Sequence, residues 1–158
     1  ECPFCKRWHD ASFAALKREY VDAGKVRMAY VHFPLDQHVQ AMPSAEASMC
    51  ASAQRRFWEY QGALFEDVEA WAKAGDQSAT YEAIAKRVGV AAAARFRSCL
   101  RSHVMRAVID ADKDRMVRVG VQSTPSFFVG QKGIAGALPL PVFRAALDSA
   151  VAAAGAAR

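Results

Sequence analysis

Two cysteines two residues apart stand almost at the first position, as Cys2-Pro3-Phe4-Cys5, and a Thr124-Pro125 pair follows far downstream before an apolar run. If a helix starts at the cysteine pair, its first amides have no intrahelical partner. The positive end of its dipole also lies there, so a thiolate at Cys2 is stabilised. Pro3 suits the first helical turn, where a missing N–H costs nothing. Cys5 comes one turn later, within reach of Cys2 but deeper. This arrangement suits disulfide exchange, with Cys2 as the attacking sulfur and a pKa expected between about 3.5 and 7.5. The competing chemistry is half of a zinc site. Structural zinc normally takes four ligands, and no second Cys-x-x-Cys or His pair follows, so neither a metal nor another cofactor is expected.

The elements that must hold these residues can be read from spacing. Phe4, Trp8, Phe13, Leu16 and Tyr20 predict a helix over residues 3–23, stopped at Gly24. Residues 25–35 alternate as a strand with both faces partly apolar, ended by Pro34. Residues 43–119 carry no convincing strand. They predict a series of helices, the first opened by Pro43-Ser44 with Ser44 as its cap and broken or bent at Gly62, the next started near Ser78, with stops at Gly75, Gly89 and Gly120. Beyond Gly120 the texture becomes β. Ser126-Phe127-Phe128-Val129 is a strand, Gly130-Gln131-Lys132-Gly133 a hairpin turn, and residues 134–138 the returning strand. A last helix over residues 142–154 presents Phe143, Leu147 and Val151 on one face. The order is α–β–helical block–β–β–α, which predicts a mixed sheet with helices packed on it. Residues 1–42 and 120–158 form one domain, and residues 43–119 are a helical insertion.

Bulk properties narrow the function. A chain of 158 residues with 53% hydrophobic and 23% charged content supports one domain, or one with an insertion, around a true core. The net charge of +5 is scattered along helices, with no basic run interleaved with aromatics, which argues against nucleic acid. No stretch of about 18 uncharged apolar residues exists to span a membrane. The chain opens directly on the motif, so a leader, a strand or both are expected upstream. Four cysteines form an even count, compatible with an oxidising compartment. Cys50 and Cys99, with 48 residues between them, either form a disulfide tying the first helix of the block to a later one, or remain two buried thiols.

Cys2-Pro3-Phe4-Cys5 opening a helix and Thr124-Pro125 opening a strand after a helical insertion resemble the DsbA-like thiol–disulfide oxidoreductases of thioredoxin fold. Residues Cys50-Ala51, Gln54, Phe57-Trp58-Glu59-Tyr60 and Leu64-Phe65 are similar to the insertion of bacterial members, as is the run from Gly120 to Val129. The resemblance covers nearly the whole chain. Family members carry a central strand ahead of the cysteine helix, which this chain does not include. The resemblance implies an α/β thioredoxin-like fold with an inserted helical subdomain and catalytic Cys2 and Cys5. It also implies a cis peptide bond at Pro125, and substrate contacts through Thr124, Pro125, Pro3 and Phe4. Implied partners are cysteine-containing exported proteins and a redox protein that reoxidises or reduces the pair, in the periplasm or another extracytoplasmic space. A dithiol oxidase is the leading expectation, because the added dimerisation domain usual in isomerases is not visible. A reductase, an isomerase and a non-catalytic peptide-binding module are the alternatives.

Overall fold

Helix formation begins at the cysteine pair, as the spacing predicts. In the computed structural model, which describes residues 1–156, α1 (Pro3–Trp8) continues through a π-helical turn (His9–Phe13), α2 (Ala14–Leu16) and a second π-helical turn (Lys17–Val21). Gly24 ends it at φ +67°, a left-handed conformation that costs glycine little, with its amide bonded to the Val21 carbonyl at 3.0 Å. The chain divides into two compact units. A split unit takes Cys2–Tyr30 with the segment from Val121, and a helical unit takes Glu1 with Val31–Gly120. The helical unit therefore includes residues 31–42 along with the predicted block.

The predicted strand over residues 25–35 does not form. Three of its backbone donors are bound elsewhere. The amides of Lys25 and Val26 both donate to the Tyr20 carbonyl (2.9 and 3.1 Å), and the His32 amide donates to the Asp112 carboxylate at 3.2 Å. A strand exists only through a ladder with a neighbour, and alternation of side chains cannot supply one. The sheet among the described residues is therefore a two-stranded antiparallel hairpin rather than the predicted mixed sheet. It consists of β1 (Ser126–Val129) and β2 (Lys132–Ala135), in register from Ser126↔Ala135 to Val129↔Lys132. The turn is the two residues Gly130-Gln131, with Gly130 at φ +60°. The returning strand stops at Ala135, because Gly136 adopts φ +87° and donates its amide to the Pro125 carbonyl at 2.8 Å.

The final helix, α9 (Leu140–Ala156), starts earlier than predicted, with Pro141 in its first turn. It buries Phe143 and Ala146 in the core of the split unit with Leu16, Tyr20 and Ile134. Trp8 fastens α1 into this core, with ring centroids 4.5 Å from Phe127 and 5.7 Å from Phe143. Two polar contacts hold the second π-turn on α9. Glu19 takes a bidentate bond from Arg144 (2.7 and 2.8 Å), and the Tyr20 hydroxyl donates to Asp148 at 2.7 Å.

The helical unit contains α3 (Ala41–Ser52), α4 (Phe57–Glu66), α5 (Val68–Ala72), α6 (Gln77–Arg87), α7 (Ala93–Arg101) and α8 (Arg106–Arg118). Ser44 is not a cap. The helix begins at Ala41, so Pro43 falls in the first turn where its missing N–H is tolerated, and the Ser44 hydroxyl donates to the Ala41 carbonyl at 3.1 Å. Gly62 neither breaks nor bends the chain into two helices; the interruption falls at Asp67, with φ −134° and ψ 49°. Asp76, two residues before Ser78, caps α6 by accepting the Ala79 amide at 2.9 Å. The core here is built on Tyr60, Trp71, Tyr81, Ile84 and Phe96. Within it, Trp71 donates to the Leu64 carbonyl and Tyr60 to the Tyr81 carbonyl, so both buried polar groups are satisfied. A disulfide joins Cys50 on α3 to Cys99 on α7, 49 positions apart. Four residues along on each side, the buried Glu46 carboxylate meets Nδ1 of His103 at 3.1 Å.

Candidate functional site

Cys2 is the N-cap residue of α1, with extended dihedrals (φ −63°, ψ 117°), and its carbonyl accepts the Lys6 amide at 3.1 Å. Its sulfur therefore occupies the position from which Ser or Asp side chains usually accept the first helical amides. Cys5 lies in the third helical position, half-buried, and both thiols are free. Pro3 and Phe4 between them are exposed. The far side of the site is made by the segment ahead of β1. The Cys2 thiol donates to the Thr124 carbonyl at 3.4 Å, across 122 positions of sequence. The Thr124–Pro125 peptide bond is cis. Ser126 donates its hydroxyl to the Ser123 carbonyl (2.7 Å), and Gly136 bonds to Pro125, so this segment is held from both sides. Helix α1 and strand β1 meet because Trp8 packs on Phe127, two residues past Pro125.

The two sulfurs have opposite acidities. Burial is the largest single influence on Cys2 and pushes its pKa up. The Thr124 hydroxyl, the amide and thiol of Cys5 and the amide of Phe4 together outweigh burial, so its pKa falls below the ordinary thiol value. In the protonated form no side-chain cap bond forms, and the Thr124 hydroxyl is a buried group with no hydrogen-bond partner among the described residues. These donors are thus available to the anion. For Cys5, burial first and the neighbouring Cys2 charge second push the pKa up to about 12. As pH rises, Cys2 therefore loses its proton well before Cys5.

The consequence for pH is specific. Alkylation of the reduced protein by iodoacetamide should rise with pH along one titration at Cys2, with its midpoint below the free-thiol value of about 8.5, and then level off. A midpoint at or above that value would contradict the site described here. Stability follows with opposite signs. The lowered Cys2 pKa contributes stability above the ordinary thiol pKa, which is lost as pH falls through the folded value. The raised Cys5 pKa contributes stability below it, which is lost as pH climbs toward about 12.

Of the residues singled out by sequence, Cys2, Pro3, Phe4, Cys5, Thr124 and Pro125 come together in the split unit, whereas Cys50 and Cys99 belong to the helical unit. Sequence reading passed over Arg7. Its guanidinium lies 5.2 Å from the centre of the Phe4 ring, and the signal was the spacing of three on one helix. No cluster of three or more His, Cys, Asp or Glu side chains able to hold a metal ion occurs among the described residues.

A helix opened by a cysteine pair, facing a cis-proline segment that leads into a β-hairpin, defines a thioredoxin-like dithiol domain. The thioredoxin family model matches residues 1–149, and the chain belongs to that family, with the DsbA-like form of its fold. It is 24% identical over 134 residues to a Bacillus anthracis protein named "Probable disulfide bond formation protein D", covering 82% of this chain and 60% of that one. The chain thus spans about three fifths of the length of that relative. Among solved structures, oxidised BdbD from Bacillus subtilis superposes with a TM-score of 0.83 at 19% identity, covering 95% of this chain and 82% of that one. Wolbachia pipientis alpha-DsbA1 superposes with 0.81 at 22% identity, covering 97% and 82%. No helix among the described residues is long and apolar enough to cross a membrane.

Proposed function

We propose that this protein is a thiol–disulfide oxidoreductase that works as a dithiol oxidase, introducing disulfides into exported proteins in an extracytoplasmic compartment. The observation that carries the reading is the divided acidity of the pair, with Cys2 lowered at the helix N-cap beside Thr124 and Cys5 raised to about 12. The disulfide-formation name of the relative and the Cys50–Cys99 bridge support it.

In the oxidised state a substrate thiolate attacks Sγ of Cys2. The Cys2–Cys5 bond breaks, and Cys5 leaves and takes a proton. A second substrate thiolate then attacks the substrate sulfur of the mixed disulfide, and Cys2 leaves as a thiolate. Two electrons pass from the substrate thiols to the pair, and the substrate gains one disulfide. A low pKa makes Cys2 a good leaving group and stabilises the reduced protein, both of which favour oxidation of the substrate. Thr124 and Pro125 bound the groove in which an extended substrate backbone lies, and Pro3 and Phe4 form its exposed lip. A redox partner restores the Cys2–Cys5 disulfide.

Equilibration of the Cys2–Cys5 pair in glutathione buffers tests the direction. A potential nearer about −120 mV than about −270 mV is expected. A value at the reducing end would make the protein a reductase.

A further inference from the structure

The net charge of the protein is not shared between its units. Among the described residues the split unit carries eight Lys or Arg against four Asp or Glu, a net of +4, whereas the helical unit carries twelve of each. All four carboxylates of the split unit are engaged. Asp10 meets Lys6 (2.8 Å) and His9, Asp22 meets Lys17 (2.6 Å), Glu19 meets Arg144, and Asp148 accepts from Tyr20. Glu1 precedes Cys2 in sequence, but its carboxylate accepts the Gln40 amide at 2.6 Å. Arg7 has no carboxylate within ion-pair distance among the described residues. It is exposed and held over the exposed ring of Phe4, at 5.2 Å. Phe4 lies between the two cysteines, so this ring fixes a full positive charge on the lip of the site.

We propose that Arg7 is a specificity-determining residue that directs the site toward anionic thiols, meaning substrate cysteines flanked by Asp or Glu. This rests on the oxidoreductase reading above. Five residues of helix rise and the backward lean of the side chain put the guanidinium on the order of 10 Å from the Cys2 sulfur. A unit charge at that range, facing water, changes the encounter with a singly charged partner by about twofold. The remaining charge of the split unit adds to this at low salt, and all of it fades as the Debye length falls below about 10 Å. Lys6, one position earlier, does not serve this role, because Asp10 neutralises it.

The first test does not need turnover. The reduced protein is alkylated at Cys2 with anionic iodoacetate and with neutral iodoacetamide, each forming a thioether and releasing iodide. The ratio of the two rates cancels the thiolate fraction, so it reads the local charge and not the pKa. Arg7→Gln should lower the iodoacetate-to-iodoacetamide ratio about twofold at low salt, Arg7→Lys should keep it, and 0.5 M NaCl should erase the difference. An unchanged ratio in Arg7→Gln overturns the assignment. The second test uses the oxidised wild type with two dithiol peptides alike except for Glu or Lys beside the cysteines. Faster oxidation of the Glu peptide, narrowing with salt, supports the proposal, and equal rates overturn it while leaving the oxidoreductase reading intact. If neither peptide is oxidised, that reading fails and the substrate preference falls with it.

Discussion

Cys5→Ser protein, reduced and then offered a disulfide-bearing peptide, should accumulate a covalent adduct through Cys2, whereas Cys2→Ser should form none and lose exchange activity altogether. Each half of this expectation follows from the divided acidity. Cys2 is the sulfur whose pKa is lowered, and the thiolate rather than the thiol is the nucleophile. Cys5, pushed up to about 12, is protonated until a neighbouring mixed disulfide offers it an electrophile within its own turn of helix. Its task is resolution, so removing it halts the cycle after the first attack. Non-reducing electrophoresis with mass spectrometry of the adduct reads the outcome. Trapping through Cys5 in Cys2→Ser would reverse the assignment of roles. Loss of Cys2 reactivity in Cys5→Ser would mean that the pair, not Cys2 alone, holds the site together.

The Cys50→Ala/Cys99→Ala protein should be destabilised by about 4 kcal/mol, the entropic worth of closing a loop of this length. That corresponds to a fall in melting temperature of about 10 °C for a chain of this size. Glu46 on α3 also meets His103, two residues past the end of α7, in a contact whose histidine side chain is 62% exposed and whose carboxylate side chain is 3% exposed. A contact open to water on its histidine side is weaker than the covalent bridge. Thermal or urea unfolding followed by circular dichroism measures the loss. A melting temperature within about 2 °C of the wild type would show that noncovalent packing, such as that of Phe96 on α7 against Tyr60 on α4, holds α7 in the helical unit without the bridge. The substitutions leave residues 2, 5, 124 and 125 untouched, so alkylation of Cys2 reports whether a fall in activity comes from the site or from the fold.

Much of the site was readable because its parts are local in sequence. Cys2, Pro3, Phe4 and Cys5 announce themselves as a helix start, and Gly120, Gly130 and the apolar run after Pro125 announce the hairpin. What alternation could not reveal was pairing. Residues 25–35 have the side chains of a strand, but the amides of Lys25 and Val26 bond to Tyr20 and that of His32 to Asp112, and a ladder is a property of two segments rather than of one. Caps were misplaced for a related reason. Ser44 is a good capping type, yet a helix begins where a side chain reaches free amides, as Asp76 does for α6, or where the chain geometry alone suffices, as at Gln40. The acidity of Cys2 was foreseeable from the helix start. The Thr124 hydroxyl that strengthens it was not, because that group lies at the other end of the chain.

The bond from Cys2 to Thr124 joins residues 122 positions apart in sequence. A ribosome releases the cysteine pair 122 positions ahead of Thr124, so while the residues between them emerge the nascent chain carries Cys2 without the donors contributed by Thr124. Until the hairpin emerges, that sulfur competes on nearly equal terms with Cys50 and Cys99 for any oxidant it meets. Cys2, Cys5, Cys50 and Cys99 are therefore open to mispairing during that interval, and the yield of correctly paired protein depends on how quickly residues 2 and 124 find each other.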